Sequence, residues 1–107
     1  MPAQRKDLTI DRGTTFLLSL QYIDSDDKPV DLTGHLARLK LDDYRGTTVG
    51  TYTATVDDAG HVDFNVSSAI TALLKPERHD YYISVTSPNG NITGLLFGVI
   101  NVRSGLL

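Results

Sequence analysis

Histidines and paired aspartates are the residues of this 107-residue chain that could do chemistry. Imidazole and carboxylate groups bind metal ions and transfer protons when a fold brings several of them together. The histidines are His35, His61 and His79, and no two have the spacing that places two ligands on one face. A meeting of His61 with His79 in space stays open, because residues distant in sequence can be neighbours in a fold. Otherwise we interpret all three as loop or strand-edge histidines.

Residues 24–27, Asp-Ser-Asp-Asp, resemble the start of a calcium-binding loop. Such a loop needs a glycine at its sixth position and a bidentate glutamate at its twelfth. Pro29 and His35 stand there instead, so we interpret the run as a solvated turn. The aspartate pairs at 42–43 and 57–58 lie near glycines, where acidic residues favour turns through hydrogen bonds to their own backbone.

The sequence predicts no catalytic, cofactor-binding or metal-binding residues. Its serines lack the G-x-S-x-G context of a nucleophile elbow, and it contains no glycine-rich phosphate loop. It has no cysteine, which excludes disulfides and thiolate metal sites. We therefore expect a protein that is not an enzyme and has no cofactor.

Charge and hydropathy argue against nucleic acid and membrane as partners. The net charge is −3, and the only basic pair is Arg5 and Lys6, whereas nucleic-acid binding requires a basic patch. The longest apolar stretch, residues 95–100, is interrupted by Gly98 and is far shorter than a membrane span. The first six residues are polar, so we expect no secretory signal.

Apolar and polar residues alternate with a period of two along most of the chain, which is typical of strands packed on one face. Turn signals separate the alternating segments at roughly 10-residue spacing. The predicted strands are residues 7–10, 16–23, 36–41, 51–56, 62–66, 80–86 and 92–102. This pattern predicts an all-β fold, a two-sheet immunoglobulin-like β-sandwich of about seven strands, and favours it over a barrel.

Three connections have distinct signatures. Asn89 and Gly90 accept positive φ and predict a hairpin before the last strand. Residues 51–56 and 62–66 predict a second hairpin around the turn at 57–60. Residues 42–50 hold two aspartates and two glycines, and we expect a longer, mobile connection there.

One short helix is predicted at residues 67–74, with Ser67 or Ser68 as its cap and Pro76 ending it soon after. Its shared apolar face would consist of Ile70, Leu73 and Leu74. Gly98 lies inside the last strand, where glycine predicts a bulge or a close backbone approach.

The tyrosines are the remaining candidates for recognition, because tyrosine is enriched at interfaces. Tyr44 lies in the 42–50 connection and is the better contact candidate. Of the adjacent Tyr81 and Tyr82, we expect one to pack inward and the other to lie at the surface. Tyr52 would matter if the chain bound a sugar.

The expected organisation is an N-terminal arm at residues 1–6, a β-sandwich domain at 7–102 and a C-terminal tail at 103–107. The two leucines of the tail follow a glycine outside any strand and have no evident core to join. We predict partner contacts through the arm, the tail and the tyrosine loop, at Tyr44, Arg5, Lys6, Leu106 and Leu107.

The order of these elements resembles a known domain. Residues 11–18 read D-R-G-T-T-F-L-L, residues 29–34 read P-V-D-L-T-G, and the last strand ends F-G-V-I. This succession, over residues 7–102, resembles the β-sandwich of small tail, baseplate and fibre-associated (collar-type) structural proteins of tailed bacteriophages. His79 and Asp80 depart from it, since that family often has a glycine just before the tyrosine of the penultimate strand.

The resemblance implies a virion structural protein, an assembly or adaptor module of the tail, baseplate or fibre-attachment (collar) region, assembled in the host cytoplasm. Its implied partners are copies of itself in a homo-oligomeric ring or multimer, and other virion proteins. It implies no catalytic residues. Two alternatives stay open at this point: a host-surface carbohydrate-binding or adhesion module, and a capsid decoration protein.

Overall fold

Alternation of apolar and polar side chains produces nine strands and one short helix in the computed structural model, which describes residues 4–104. The elements are β1 (Gln4–Arg5), β2 (Leu8–Asp11), β3 (Phe16–Gln21), β4 (Leu36–Asp42), β5 (Thr48–Thr53), β6 (Thr55–Val56), β7 (His61–Val66), α1 (Ser68–Thr71), β8 (Arg78–Thr86) and β9 (Ile92–Arg103). The large sheet has the order β1–β9–β8–β4–β5, with β2 also pairing with β9, and the small sheet has the order β3–β7–β6. The predicted two-sheet, all-β sandwich with one short helix is confirmed.

The core lies between the two sheets and is built from alternate residues of β4, β7 and β8. Along these strands every second side chain is buried, as the alternation predicts. Each large apolar side chain buried in this way stabilises the fold by about 1.5–3 kcal/mol. The fully buried apolar side chains include Leu32, Leu39, Leu41, Val62, Phe64, Ile83 and Ile100.

The first strands pair in parallel with the last. Gln4 lies opposite Leu96 and Leu8 opposite Ile100, so β1 and β2 continue one register and are interrupted only at residues 6 and 7. Residues 4 and 5, which the sequence assigned to an arm, therefore belong to the large sheet. Strand β9 continues through Arg103, one residue beyond the predicted domain end.

The predicted hairpin of residues 51–56 with 62–66 is wrong in its first half. Strand β5 pairs with β4 in the large sheet, and only the two residues of β6 pair with β7 in the small sheet. The chain changes sheets at Ala54, whose N–H donates to the carbonyl oxygen of Ala37 at 3.1 Å. The alternation of threonines with apolar residues is the same for either partner, so it does not reveal this change.

The predicted long connection at 42–50 is a tight turn. The Asp43 carboxylate accepts hydrogen bonds from the N–H groups of Arg45 and Thr47 at 2.8 and 3.0 Å. These bonds close the chain on itself, so β5 already begins at Thr48. By contrast, the turn predicted at residues 24–29 is confirmed, with the Asp24 carboxylate bonded to the backbone of the turn.

The helix is shorter than predicted, and its expected apolar face is only partly present. Ser67 caps it, but Ile70 and Leu73 are exposed while Leu74 is buried. Thr71 is the buried residue of α1: its hydroxyl donates to the Thr14 carbonyl at 2.7 Å and ties the helix to the start of β3. A four-residue helix is too short to present a face, so polar contacts to the preceding loop hold it instead. The Gly13 N–H also donates to the Thr71 hydroxyl at 3.2 Å, and the Arg12 guanidinium donates to the Ala72 carbonyl oxygen at 3.0 Å. None of the helices among residues 4–104 has the length and apolar character of a membrane span.

Candidate interaction surface

The outward-facing residues of the large sheet form a row across four strands. Because outward residues alternate with buried ones, register places Arg5 beside Phe97, Phe97 beside Tyr82, and Tyr82 beside Lys40. We call these four residues the aromatic row. Tyr82 is 46% exposed and Phe97 37% exposed. The row therefore presents two adjacent aromatic rings to solvent with a cation on either side.

The cations of the row are only weakly engaged. Arg5 lies 3.5 Å from Asp7 and Lys40 lies 3.9 Å from Asp42, and the basic side chains of both pairs are more than half exposed. Exposed pairs of this kind contribute about 0–1 kcal/mol, because water and salt screen them. Both cations can therefore exchange these neighbours for other anionic groups.

The same face continues from the row toward the β8–β9 turn. The next outward-facing pair toward the turn is Arg38 with Ser84. At the end of β8, Thr86 lies between Leu36 of β4 and Ile92 of β9. Ile92 is 71% exposed. Among the outward residues from the row to this turn there are three cations and four large apolar or aromatic side chains, and no carboxylate. We call this half of the sheet's outer side the cationic face.

The inner side of the same strands is a closed junction at Gly98. Gly98 has φ +152°, and a Cβ there would overlap the carbonyl oxygen of Lys6. The Tyr81 ring lies opposite Gly98, and its hydroxyl donates to that same oxygen. The Asp7 carboxylate accepts from the N–H of Val99 at 3.2 Å, in place of a backbone acceptor. Burial, with the Asp7 charge adding to it, raises the pKa of Tyr81 to about 12.

This junction confirms the close approach predicted at Gly98. The irregularity of the strand lies elsewhere: Ile83 pairs with Leu96 and Ser84 with Gly94, so Leu95 is the extra residue. The prediction for the tyrosine pair is also confirmed, with Tyr81 in the core and Tyr82 on the outer side.

The predicted contact residues are spread over the molecule. Arg5 lies in the aromatic row, and Lys6 is exposed beside it. The Lys6 backbone N–H donates to the Phe97 carbonyl oxygen at 2.8 Å. Tyr44 is exposed in the β4–β5 turn, outside the cationic face, where the Arg45 guanidinium lies 5.1 Å from the centre of its ring. Leu106 and Leu107 lie outside the described residues.

Sequence reasoning missed Phe97, Arg38 and Lys40 as members of this surface. Arg38 and Lys40 alternate with buried residues of β4, which marks them as outward-facing. What the alternation does not contain is the register between strands, and only the register places Lys40 beside Tyr82 and Phe97.

The histidines are not brought together. His61 is exposed on β7 in the small sheet, and its Nδ1 lies 2.8 Å from Asp57. His79 is buried at the start of β8 in the large sheet, with Nδ1 3.0 Å from the Glu77 carbonyl oxygen. The hydrogen bond from the His61 backbone N–H lowers the pKa of Asp57. Within residues 4–104 no group of three or more histidines and carboxylates has the arrangement of a metal site.

Comparison with known proteins agrees with this architecture. The family model described as LtfC-like, beta-sandwich domain matches residues 2–101. No curated protein sequence matches the chain. Among solved structures, the N-terminal domain of phage TP901-1 ORF48 is 13% identical, with a TM-score of 0.59 over 92% of this chain and 85% of that one. The Lin-41 filamin domain is 16% identical, with a TM-score of 0.55 over 91% and 84%. At these identities both structures are similar in fold alone.

Proposed function

We propose that this chain, which belongs to the LtfC-like β-sandwich domain family, is a structural protein of a tailed bacteriophage particle. We assign it the role of an assembly or adaptor module in the tail, baseplate or fibre-attachment collar. Two likenesses support the phage context: the succession of elements over residues 7–102, and the shared fold with the N-terminal domain of a phage protein.

The observation that carries the proposal is the cationic face. An assembly module needs a surface that stays open in the isolated chain and combines apolar contact area with charge that selects the partner. The cationic face has both properties: its aromatic rings and Ile92 are exposed, and its cations are held only by weak pairs. The proposed partners are further copies of the chain and other virion proteins, with Tyr44, Lys6, Leu106 and Leu107 as additional contact residues.

The geometry gives less support to a carbohydrate-binding module. Sugar recognition uses an exposed aromatic ring face as a platform. The Arg45 guanidinium lies over the Tyr44 ring, and Tyr52 is half-buried against the core. The two tyrosines that the sequence offers for a sugar platform therefore do not form a paired one, because Arg45 covers one face of the Tyr44 ring and Tyr52 is half-buried.

The test is the location of the chain in particles made by the host strain that carries its gene. We expect mass spectrometry of purified particles, separated into heads and tails, to find the chain with the tails, and antibody labelling to mark one end of the tail. Its presence on heads only would replace the tail role with capsid decoration. Its absence from particles would overturn the proposal, and glycan binding by the purified chain would then favour the carbohydrate-binding role.

A further inference from the structure

A second charged surface is formed by turns that connect to strands of the small sheet. The turns at residues 24–28 and 57–60 are neighbours, because the Tyr22 N–H donates to the Gly60 carbonyl at 2.7 Å and the Leu32 N–H donates to the Asp57 carbonyl at 3.1 Å. Six of the 13 acidic residues of the chain lie here, with Lys28 as the single Lys or Arg among residues 24–31 and 57–60. We call this region the acidic end; its carboxylates are Asp24, Asp26, Asp27, Asp31, Asp57 and Asp58.

Half of these carboxylates are engaged locally and half are not. Asp24, Asp31 and Asp57 accept hydrogen bonds from backbone N–H groups of their own turns. The others are exposed and, among the described residues, accept no hydrogen bond and form no ion pair. These three free carboxylates are Asp26, Asp27 and Asp58. The acidic end therefore offers as many free anions as the cationic face has cations.

The two surfaces cannot meet within one molecule. The acidic end is built from turns that follow strands of the small sheet, whereas the cationic face is on the solvent side of the large sheet. Their charges are nevertheless complementary, so the natural partner of one is the other surface on a second copy of this chain.

We propose that the acidic end of one copy docks on the cationic face of the next. Tyr82, Phe97 and Ile92 supply the apolar centre of the contact, and the surrounding charges set its orientation. The contact joins two different surfaces, so it is heterologous and repeats head to tail, closing into a ring or continuing as a stack. This inference rests on the proposed structural role and names the acidic end of a second copy as the partner of the cationic face.

The first measurement is sedimentation velocity of the full chain over a range of concentrations in about 50 mM salt. We expect association that rises with concentration and weakens strongly at about 0.5 M salt, because the screening length falls below the size of the contact. A chain that sediments as a monomer at every concentration in low salt would overturn the inference.

Charge reversal identifies the surfaces. The face variant Arg38→Glu/Lys40→Glu and the end variant Asp26→Lys/Asp58→Lys should each weaken association at least tenfold. Mixing the two variants should restore it, because each supplies the surface that the other lacks. The matched control Arg45→Glu/Lys75→Glu makes the same charge change as the face variant but outside the cationic face, and should associate like the original chain. Circular dichroism verifies that every variant is folded.

These results separate the inference from the function it rests on. Self-association that the face variant leaves unchanged, or two variants that do not complement each other, would reject this contact even if the chain is found in tails. Conversely, complementation between the variants with no chain present in particles would support the contact and reject the virion role.

Discussion

Tyr81 and Tyr82 are adjacent on β8, yet the first is 3% exposed and the second 46% exposed. On the inner side, Tyr81 covers Gly98 and bonds to the Lys6 carbonyl oxygen, so that β8, β9 and the segment between β1 and β2 are joined at one point. On the outer side, Tyr82 lies beside Phe97 and is open to solvent. The same pair of strands thus supplies stability on one face and an open surface on the other. Substitutions on the two sides should therefore affect different measurements.

The largest effect is expected from Gly98→Ala on the inner side. A Cβ would overlap the Lys6 carbonyl oxygen, which is backbone and cannot easily move away. The disfavoured φ costs about 1–3 kcal/mol, and overpacking adds about 1–3 kcal/mol. Urea unfolding followed by circular dichroism should show a loss in the sum of these ranges, with β1 released from the sheet.

The control is Gly90→Ala, in the β8–β9 turn. Gly90 also has positive φ, +92°, but a Cβ there would meet nothing within 4 Å. This variant carries the backbone strain without the overlap, so it should cost only the strain of the disfavoured φ, about 1–3 kcal/mol. Equal losses in the two variants would show that the close approach at Lys6 contributes nothing.

The neighbours Leu96 and Phe97 test the two sides with one type of substitution. Leu96 is buried and lies on the inner side of β9, so Leu96→Ala should destabilise the fold by about 2–5 kcal/mol. Phe97→Ala removes a larger side chain from the outer side, and should cost about 1 kcal/mol or less. In sedimentation velocity the order of the two effects should reverse, because Phe97→Ala should weaken self-association more than Leu96→Ala does. A Phe97→Ala variant that unfolds as readily as Leu96→Ala would contradict the division between the sides.

Removing the Tyr81 hydroxyl should have a smaller effect. Tyr81→Phe keeps the ring over Gly98 but leaves the part-buried Lys6 carbonyl oxygen without this donor, which costs about 1–3 kcal/mol. Tyr82→Phe is the matched control, because Tyr82 donates no hydrogen bond among the described residues, and its unfolding free energy should be unchanged.

The same hydroxyl predicts a dependence on alkaline pH. The pKa of Tyr81 is raised in the fold from 10.0 to about 12, so the protonated form is the one that the fold favours. Its stabilisation is complete below about pH 10 and is lost as pH rises toward 12. Between pH 8 and 11, the free energy of unfolding should therefore fall more steeply with rising pH for the original chain than for Tyr81→Phe. Parallel curves would mean that the hydroxyl titrates normally.

The features that the sequence predicts best are those that can be inferred from the residues of a single strand. The alternation in β4 and β8 is enough to place Leu39 and Ile83 in the core, and Gly98 is correctly expected to mark a close approach. The sequence does not predict which strands pair with each other when they lie far apart along the chain. The parallel pairing of β1 with β9 joins residues more than 90 positions apart, and no local pattern encodes it.

The same limit applies to the candidate surface. The aromatic row needs the registers of four strands at once, although each of its members is visibly outward-facing or terminal in the sequence. The change of sheets at Ala54 escapes prediction for a related reason, because the side chains before and after it alternate identically. The alternation within one strand shows which of its side chains are buried. Which of two equivalent strands it pairs with depends on how the whole core packs.

The smallest effect is expected where the parallel junction ends. The Arg103 guanidinium donates to both Asp11 oxygens at 2.7 and 3.0 Å, and this hydrogen bonding lowers the pKa of Asp11 below 3.8. The stabilisation is therefore present above about pH 4 and is lost as pH falls through the pKa in the fold. In Arg103→Gln the Asp11 pKa, followed by NMR, should rise toward its ordinary value, with little change in stability because the pair is solvent-exposed. Arg78→Gln makes the same charge change without this partner and should leave the Asp11 pKa in place. An equal rise in both variants would mean that general charge, and not the paired geometry across β2 and β9, holds the Asp11 pKa down.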